Sequence, residues 1–317
     1  SGSRNAMNSK EELLVQVAEL YYQQDMNQQE IAKSFHISRP TVSRLLEEAR
    51  RRKIVEIIIH SPNPKNHELS EQVREAYNLK HCIAIDTRAN YQETLKSCAK
   101  AAAEYLSGIL ADDSVLAVSW GSAITYLADV LQPKSHQNVH VVQMVGCLAA
   151  GNPSQDGIEI SMKIAEKLGA EYSNIFAPVF VNGEVMAEHF LKEPRIASTM
   201  EKIDKADIAV MGIGSVGDKS SILTTTKSVS QEEWADLRQK GAKGHLLARM
   251  FGADGVEIPI PGKSAISPPL ETLRRIPATI GIAASARKAE AVQAAVKAGY
   301  INTLIIDSKL AESILKK

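Results

Sequence analysis

The sequence predicts an α/β protein in two parts. Residues 7–60 read as a helix-turn-helix unit, and residues 61–317 as a larger Rossmann-like domain with a mostly parallel sheet covered by helices on both faces. Three observations carry this. Two short amphipathic helical patterns lie either side of a three-residue turn before residue 60. Beyond it, apolar runs alternate with helical patterns to the end of the chain. Charge is also uneven: the 317 residues hold 37 basic and 37 acidic side chains, for a formal net charge of zero. Residues 33–53 alone carry +5, so the remainder carries −5.

The length suits two domains at about 100–200 residues each. A composition of 44% hydrophobic and 23% charged residues argues against a disordered chain. Apolar runs such as Ile54–Ile59 and Ile203–Gly214 fall short of the roughly 20 residues of a membrane span. Cys82, Cys98 and Cys147 are odd in number and lack CxxC spacing, which favours a reducing compartment over a disulfide framework. Ser1-Gly2-Ser3-Arg4-Asn5-Ala6, ahead of Met7, reads as a cloning remnant and not as a signal peptide, because no apolar stretch follows. A cytoplasmic location is expected.

The first helix spans about Lys10 to Gln24, with Leu13, Leu14, Val17, Ala18, Leu20 and Tyr21 at helical spacing. Asn27 and Glu30 form a capping box for a second helix, Gln28 to about Phe35, whose inner face is Ile31, Ala32 and Phe35. Ser38 caps a third, with Pro40 in its first turn and Val42, Leu45, Leu46 and Ala49 facing inward. Small Ala32 allows the close crossing of a helix-turn-helix. Arg39, Thr41, Ser43 and Arg44 then point outward, the chemistry that reads base edges and phosphates in a major groove. Gln28 and Gln29 lie where a helix N-terminus can hold a phosphate, and Ser38 is counted with the DNA-binding residues. Arg50-Arg51-Arg52-Lys53 makes a basic exit. Val55–Ile59 is a β-rich run suited to a wing, and Ser61–Asn66 is a Pro/Asn-rich boundary.

In the larger part, strands are expected at Cys82–Ile85, Val115–Ser119, Val139–Val145, Ile175–Val179, Ile208–Ile213, Thr279–Ala283 and Thr303–Ile306. Helices are expected at Thr94–Leu110, Ala123–Leu131, Ile158–Leu168, Val185–Leu191, Ile196–Ile203, Glu232–Lys240, Ala242–Phe251, Arg287–Ala298 and Lys309–Leu315. Ligands bind at the carboxyl ends of such strands. Four strand ends carry small residues and hydroxyls: Ser119-Trp120-Gly121-Ser122, Gly146-Cys147, Gly212-Ile213-Gly214-Ser215, and Ala283-Ala284-Ser285 with Lys288. This set suits a phosphorylated small molecule. Gly212–Gly217 lacks the strand–helix context of a dinucleotide fingerprint, and no GxxxxGK[ST] occurs. No cofactor is expected. His60, His67, His81, His136, His140 and His189 lie outside any metal-ligand spacing, and Asp112, Asp113, Asp204 and Asp207 belong to turns. His245 reads as a surface or capping histidine in a loop entering a helix.

The runs Leu20-Tyr21-Tyr22, Gln28-Gln29-Glu30-Ile31-Ala32 and Ile37–Leu46 resemble the DNA-binding domain of SorC/DeoR-type sugar-responsive bacterial transcriptional regulators. The likeness continues through Ser119-Trp120-Gly121, Val142-Gln143, Gly212–Ser215, Lys288–Ala291 and Gly299–Asn302. It implies a sugar-phosphate isomerase/deaminase-like effector domain that binds a phosphorylated sugar without turnover. It also implies homo-oligomers, commonly tetramers, on paired operator half-sites. By position it places the Gly121-Ser122 loop, the Gly146 loop, His245 and Lys288 in the effector pocket. The chain departs from the pattern at Cys147, at Ala284-Ser285, where glycines are usual, and at His245, where an acid is usual. Val145 stands where some members carry Lys or Arg, which excludes covalent capture there. A smaller or differently oriented effector is expected. The alternatives are a sugar-phosphate isomerase or deaminase fused to the DNA-binding domain, and a structural DNA-binding protein with a vestigial pocket.

Overall fold

The computed structural model describes residues 2–55, 64–134 and 136–316, and the chain divides into two compact units at residue 62/63. The first unit holds α1 (Gly2–Tyr22), α2 (Gln28–Phe35) and α3 (Arg39–Arg51). Asn27 Oδ1 accepts from the N–H groups of Gln29 and Glu30 at 3.0 Å each, while Glu30 Oε2 accepts from Asn27 N at 2.8 Å. Both halves of the expected capping box are therefore present. Asn27→Ala is expected to destabilise this unit by about 1 kcal/mol, read by circular dichroism on thermal unfolding. His36 closes α2 in the left-handed region at φ 56°. Val17, Ile31, Ala32, Val42 and Leu46 form the core, with Leu14, Ala18 and Ala49 beside it. Most of the wing expected at Val55–Ile59 lies outside the described residues.

The second unit runs α4 (His67–Ala76), β1 (His81–Ile85), α5 (Tyr91–Ile109), β2 (Val115–Val118), α6 (Ser122–Val130) and β3 (His140–Gln143). Next come α7 (Gly157–Leu168), β4 (Glu171–Ser173), β5 (Phe180–Asn182), α8 (Gly183–Lys192), α9 (Pro194–Asp204) and β6 (Ile208–Gly212). Then follow β7 (Gly214–Ser215), α10 (Ile222–Thr225), α11 (Gln231–Gln239), β8 (Ala242–Leu246), β9 (Arg249–Gly252), β10 (Glu257–Ile258) and β11 (Lys263–Ala265). The chain closes with α12 (Glu271–Arg275), β12 (Ala278–Ala283), a 3₁₀ turn at Ala286–Lys288, α13 (Ala289–Lys297), β13 (Thr303–Asp307) and α14 (Ser308–Leu315). Seven strands in the order β1-β13-β12-β6-β2-β3-β4 form one wholly parallel sheet. Its central strands are apolar runs, as burial on both faces requires. An antiparallel sheet, β10-β9-β8-β7, and the pair β11-β5 stand apart from it.

Two expectations fail. Ile175–Val179 is not a strand of the sheet; β4 comes earlier, at Glu171–Ser173. Ile175, Ala177 and Val179 alternate as a strand would and are buried, but they bond irregularly, with Cys147 N donating to Ala177 O and Val179 N to Cys147 O. Ala242–Phe251 is a hairpin, not a helix. Its turn residues Leu247 and Ala248 sit at φ 54° and 59°, where Asn-Gly is the usual signal, so the turn leaves no trace in the sequence. The helices α4, α10 and α12 and the short strands β5, β7, β10 and β11 were not expected.

Candidate functional site

Around the parallel sheet the chain runs from β2 outward to β3 and β4, then returns to β6 on the other side of β2. The loops leaving β2 and β6 diverge at this reversal, where doubly wound sheets hold their ligands. A cavity of about 190 Å³ lies there. Gly121, Ser122, Gly212, Gly214, Ser215, His245 and Lys288, expected from separate strand ends and loops, all line it.

Gly121 is the N-cap of α6 at φ 95°, a conformation that favours glycine, and it brings no side chain to cap the helix. Ile124 N donates to Gly121 O at 3.1 Å, which leaves the Ser122 and Ala123 N–H groups for an occupant, at the positive end of the helix dipole. Gln155 braces this loop: its carbonyl accepts from Gly121 N at 3.2 Å, and its Nε2 donates to Ser122 Oγ at 3.1 Å. On the wall of the same cavity, Lys288 Nζ donates to Ile213 O at 3.0 Å. Burial lowers the pKa of this ammonium, Asp218 works against that shift, and Arg287 adds to it. Ser285, just before, holds φ 85° where glycine would be unstrained, pinned by its N–H to Asp307 Oδ1 at 2.8 Å.

His245 is a buried residue of β8, paired with Gly214 on β7, and not a surface cap. Its ring lies so close to Gly214 that a Cβ there would stand 2.0 Å from Nε2, which explains the glycine. Ser221 Oγ is 3.4 Å from the same nitrogen, and the Trp234 ring centroid is 5.9 Å away. Burial, reinforced by Lys288 and opposed by Asp218, drops the imidazole pKa to about 4. It is a neutral hydrogen-bonding group at pH 7.

Sequence reasoning missed Tyr91, Gln155, Asp218 and Ser221, all on the cavity wall. Burial raises the Asp218 pKa, but the Ser220 hydroxyl and N–H, with Lys288 and Arg287, outweigh it and hold the carboxyl below its usual range. Burial, with Asp218 adding, pushes the Tyr91 phenol up to about 12, so it remains a donor. Tyr91 opens the helix that follows the carboxyl end of β1, and that position is its signal in the sequence.

Gly146 and Cys147 are not at the cavity. A Cβ on Gly146 would lie 2.4 Å from Pro178 O, so this glycine serves backbone packing. Cys147 Sγ donates to Ile175 O at 3.2 Å and faces a separate apolar depression with Leu148 and Phe176.

In the first unit, Arg39, Ser43 and Arg44 are exposed on α3, and Thr41 is half-buried beside them. Gln29 is exposed and Gln28 half-buried at the start of α2. Ser38 is already engaged as the cap of α3, with Oγ 3.3 Å from Thr41 N and 2.8 Å from its hydroxyl. Arg50 donates to Tyr22 Oη at 2.8 and 2.6 Å, tying α3 to α1. Among the described residues, no cluster of three or more His, Cys, Asp or Glu side chains could hold a metal, and no helix is long and apolar enough to cross a membrane.

The family profile for sugar-binding domains matches residues 61–316, and that for sigma-70 region 4 matches residues 15–52. The deoxyribonucleoside regulator of Bacillus subtilis (strain 168) is 29% identical over 308 residues, spanning 96% of this chain and 98% of its own. The transcriptional regulator LsrR of Escherichia coli O9:H4 (strain HS) is 30% identical over 314 residues, spanning 97% and 95%. Among solved structures, the full-length sorbitol operon regulator SorC from Klebsiella pneumoniae aligns with a TM-score of 0.73 at 25% identity, covering 96% of this chain and 98% of that one. All three relatives are regulators by name, and LsrR is named as a transcriptional one. The chain belongs to the SorC/DeoR-type family of transcriptional regulators that carry this sugar-binding domain.

Proposed function

We propose that the chain regulates a carbohydrate-utilisation operon, and that a phosphorylated sugar in the cavity modulates its operator binding. In this reading residues 7–60 read the operator and residues 61–317 bind the effector and self-associate. The observation that carries it is that Lys288 and the start of α6, which has no side-chain cap, line one cavity that also presents Asp218 and hydroxyls. A cation and free N–H groups suit a phosphate, and a carboxylate with Ser and Tyr hydroxyls suits a polyol. Gly121 and Ser122 would cradle the phosphate beside Lys288. Gly212, Gly214 and Ser215 would bring backbone close to the sugar, with His245 as a neutral hydrogen-bond partner.

Arg39, Thr41, Ser43 and Arg44 would face base edges and phosphates, with Gln28, Gln29 and Ser38 on the backbone side. Self-association as a dimer or tetramer is supported by exposed apolar side chains near the edge strand β4: Met162, Tyr172 and Phe176. Effector binding would then shift the population between DNA-competent and incompetent arrangements.

The test is operator selection from a random DNA pool, followed by binding titrations with and without sugar phosphates. A selected operator whose affinity changes with a sugar phosphate supports the reading; no sequence preference at all contradicts it. On that operator, Arg44→Ala should cost about 1–3 kcal/mol and relax preference at one base position. Uniform weakening with a smaller salt slope would assign Arg44 to a phosphate.

A further inference from the structure

We propose that the cavity accepts a sugar bearing a single phosphate and turns away the matching bisphosphate, with Asp218 as the residue that sets this limit. The proposal rests on the phosphorylated-sugar reading above and adds to it the number of phosphates.

Room comes first. At about 190 Å³ the cavity is below the roughly 300 Å³ at which most small-molecule pockets begin. The charges on its wall come next. Lys288 is the lysine or arginine that lines it. Arg287 flanks that lysine from an exposed position, and Lys219 is exposed outside the lining. His245 contributes no positive charge near neutral pH. One phosphate can therefore be matched, in the cavity that Lys288 and the start of α6 both line.

The rest of the wall is built for hydroxyls. Asp218 Oδ1 accepts from Ser220 N at 2.8 Å and Ser220 Oγ at 2.7 Å. Its carbonyl accepts from Ser221 N at 3.0 Å and Thr224 Oγ1 at 2.9 Å, which fixes the residue in place. Oδ2 accepts no hydrogen bond from the described residues and remains an acceptor for an occupant. An ionised carboxylate accepts from sugar hydroxyls and repels a phosphate dianion, and a like charge at close range is a strong rejection device. Asp218 and Lys288 lie close enough to shift each other's pKa, so the carboxylate already offsets the lining cation, and a second phosphate would add negative charge to a wall with no further cation to match it.

The test is calorimetric titration of the full chain with matched pairs: fructose 6-phosphate and fructose 1,6-bisphosphate, glucose 6-phosphate and glucose 1,6-bisphosphate, ribulose 5-phosphate and ribulose 1,5-bisphosphate. The expected result is binding of at least one monophosphate, with its bisphosphate weaker by about tenfold or more. Asp218→Asn keeps the size and the acceptor for Ser220 but removes the charge. It should narrow that gap to about threefold or less, chiefly by strengthening the bisphosphate. A wild-type bisphosphate that binds as well as its monophosphate, or a gap untouched by Asp218→Asn, overturns the proposal and leaves the phosphorylated-sugar reading standing. No binding by any pair overturns both.

Discussion

Lys288→Met should abolish most of the affinity for a sugar phosphate while leaving unliganded operator binding intact. The lysine lines the cavity, and its Nζ is held by Ile213 O at 3.0 Å. Removing one partner of a desolvated charge pair costs about 2–5 kcal/mol, or at least about 30-fold in affinity. Burial already disfavours the ammonium, so methionine should leave the unliganded fold at least as stable. The same burial sets a pH dependence. The pKa is depressed, so the cation is lost, and phosphate affinity falls, at a lower pH than for an exposed lysine. Isothermal titration across neutral to alkaline pH checks both points. A loss of only about 0.5 kcal/mol, the scale of an exposed ion pair, would put the phosphate elsewhere.

Acidification should destabilise the larger unit through His245 by about 3 kcal/mol between pH 7 and pH 4. Its folded pKa is about 4, against an ordinary value of 6.5. Between those limits the unfolded chain binds a proton that the folded chain refuses, so stability falls as pH drops through this window. It is fully present above about pH 6.5. Lys288 pushes in the same direction as burial, and Asp218 opposes both. His245→Gln removes the titration, so the wild type should lose about 3 kcal/mol more than the variant over that range. Urea unfolding followed by the fluorescence of Trp234, next to the imidazole, measures the difference. Equal slopes with pH would mean that the imidazole protonates freely in the folded state.

The sequence was most informative where local chemistry decides the structure. Asn27 with Glu30, and Ser38 before Pro40, marked the starts of α2 and α3 because caps act within one turn of chain. Apolar runs located the central strands because a doubly covered parallel sheet demands them. What stayed hidden depends on distant partners. Gly214 is a glycine because an imidazole 31 positions later lies over it. Gly146 looked like a phosphate loop, yet it makes room for the Pro178 carbonyl. Asp218 lies in a polar stretch whose sequence says nothing of the cavity beneath it. The hairpin at Leu247-Ala248 broke the expected helix because the usual turn residues are absent.

The most direct test of the central claim is thermal unfolding of the full chain against sugar phosphates and their unphosphorylated parents. A ligand at about 100 times its dissociation constant adds about 2.7 kcal/mol. For a domain of this size that raises the midpoint by roughly 2–4 °C per kcal/mol. The account predicts such a rise with a phosphate ester, none with its parent sugar, and its loss in Lys288→Met. An equal rise with the parent sugar, or a rise that survives Lys288→Met, would contradict it.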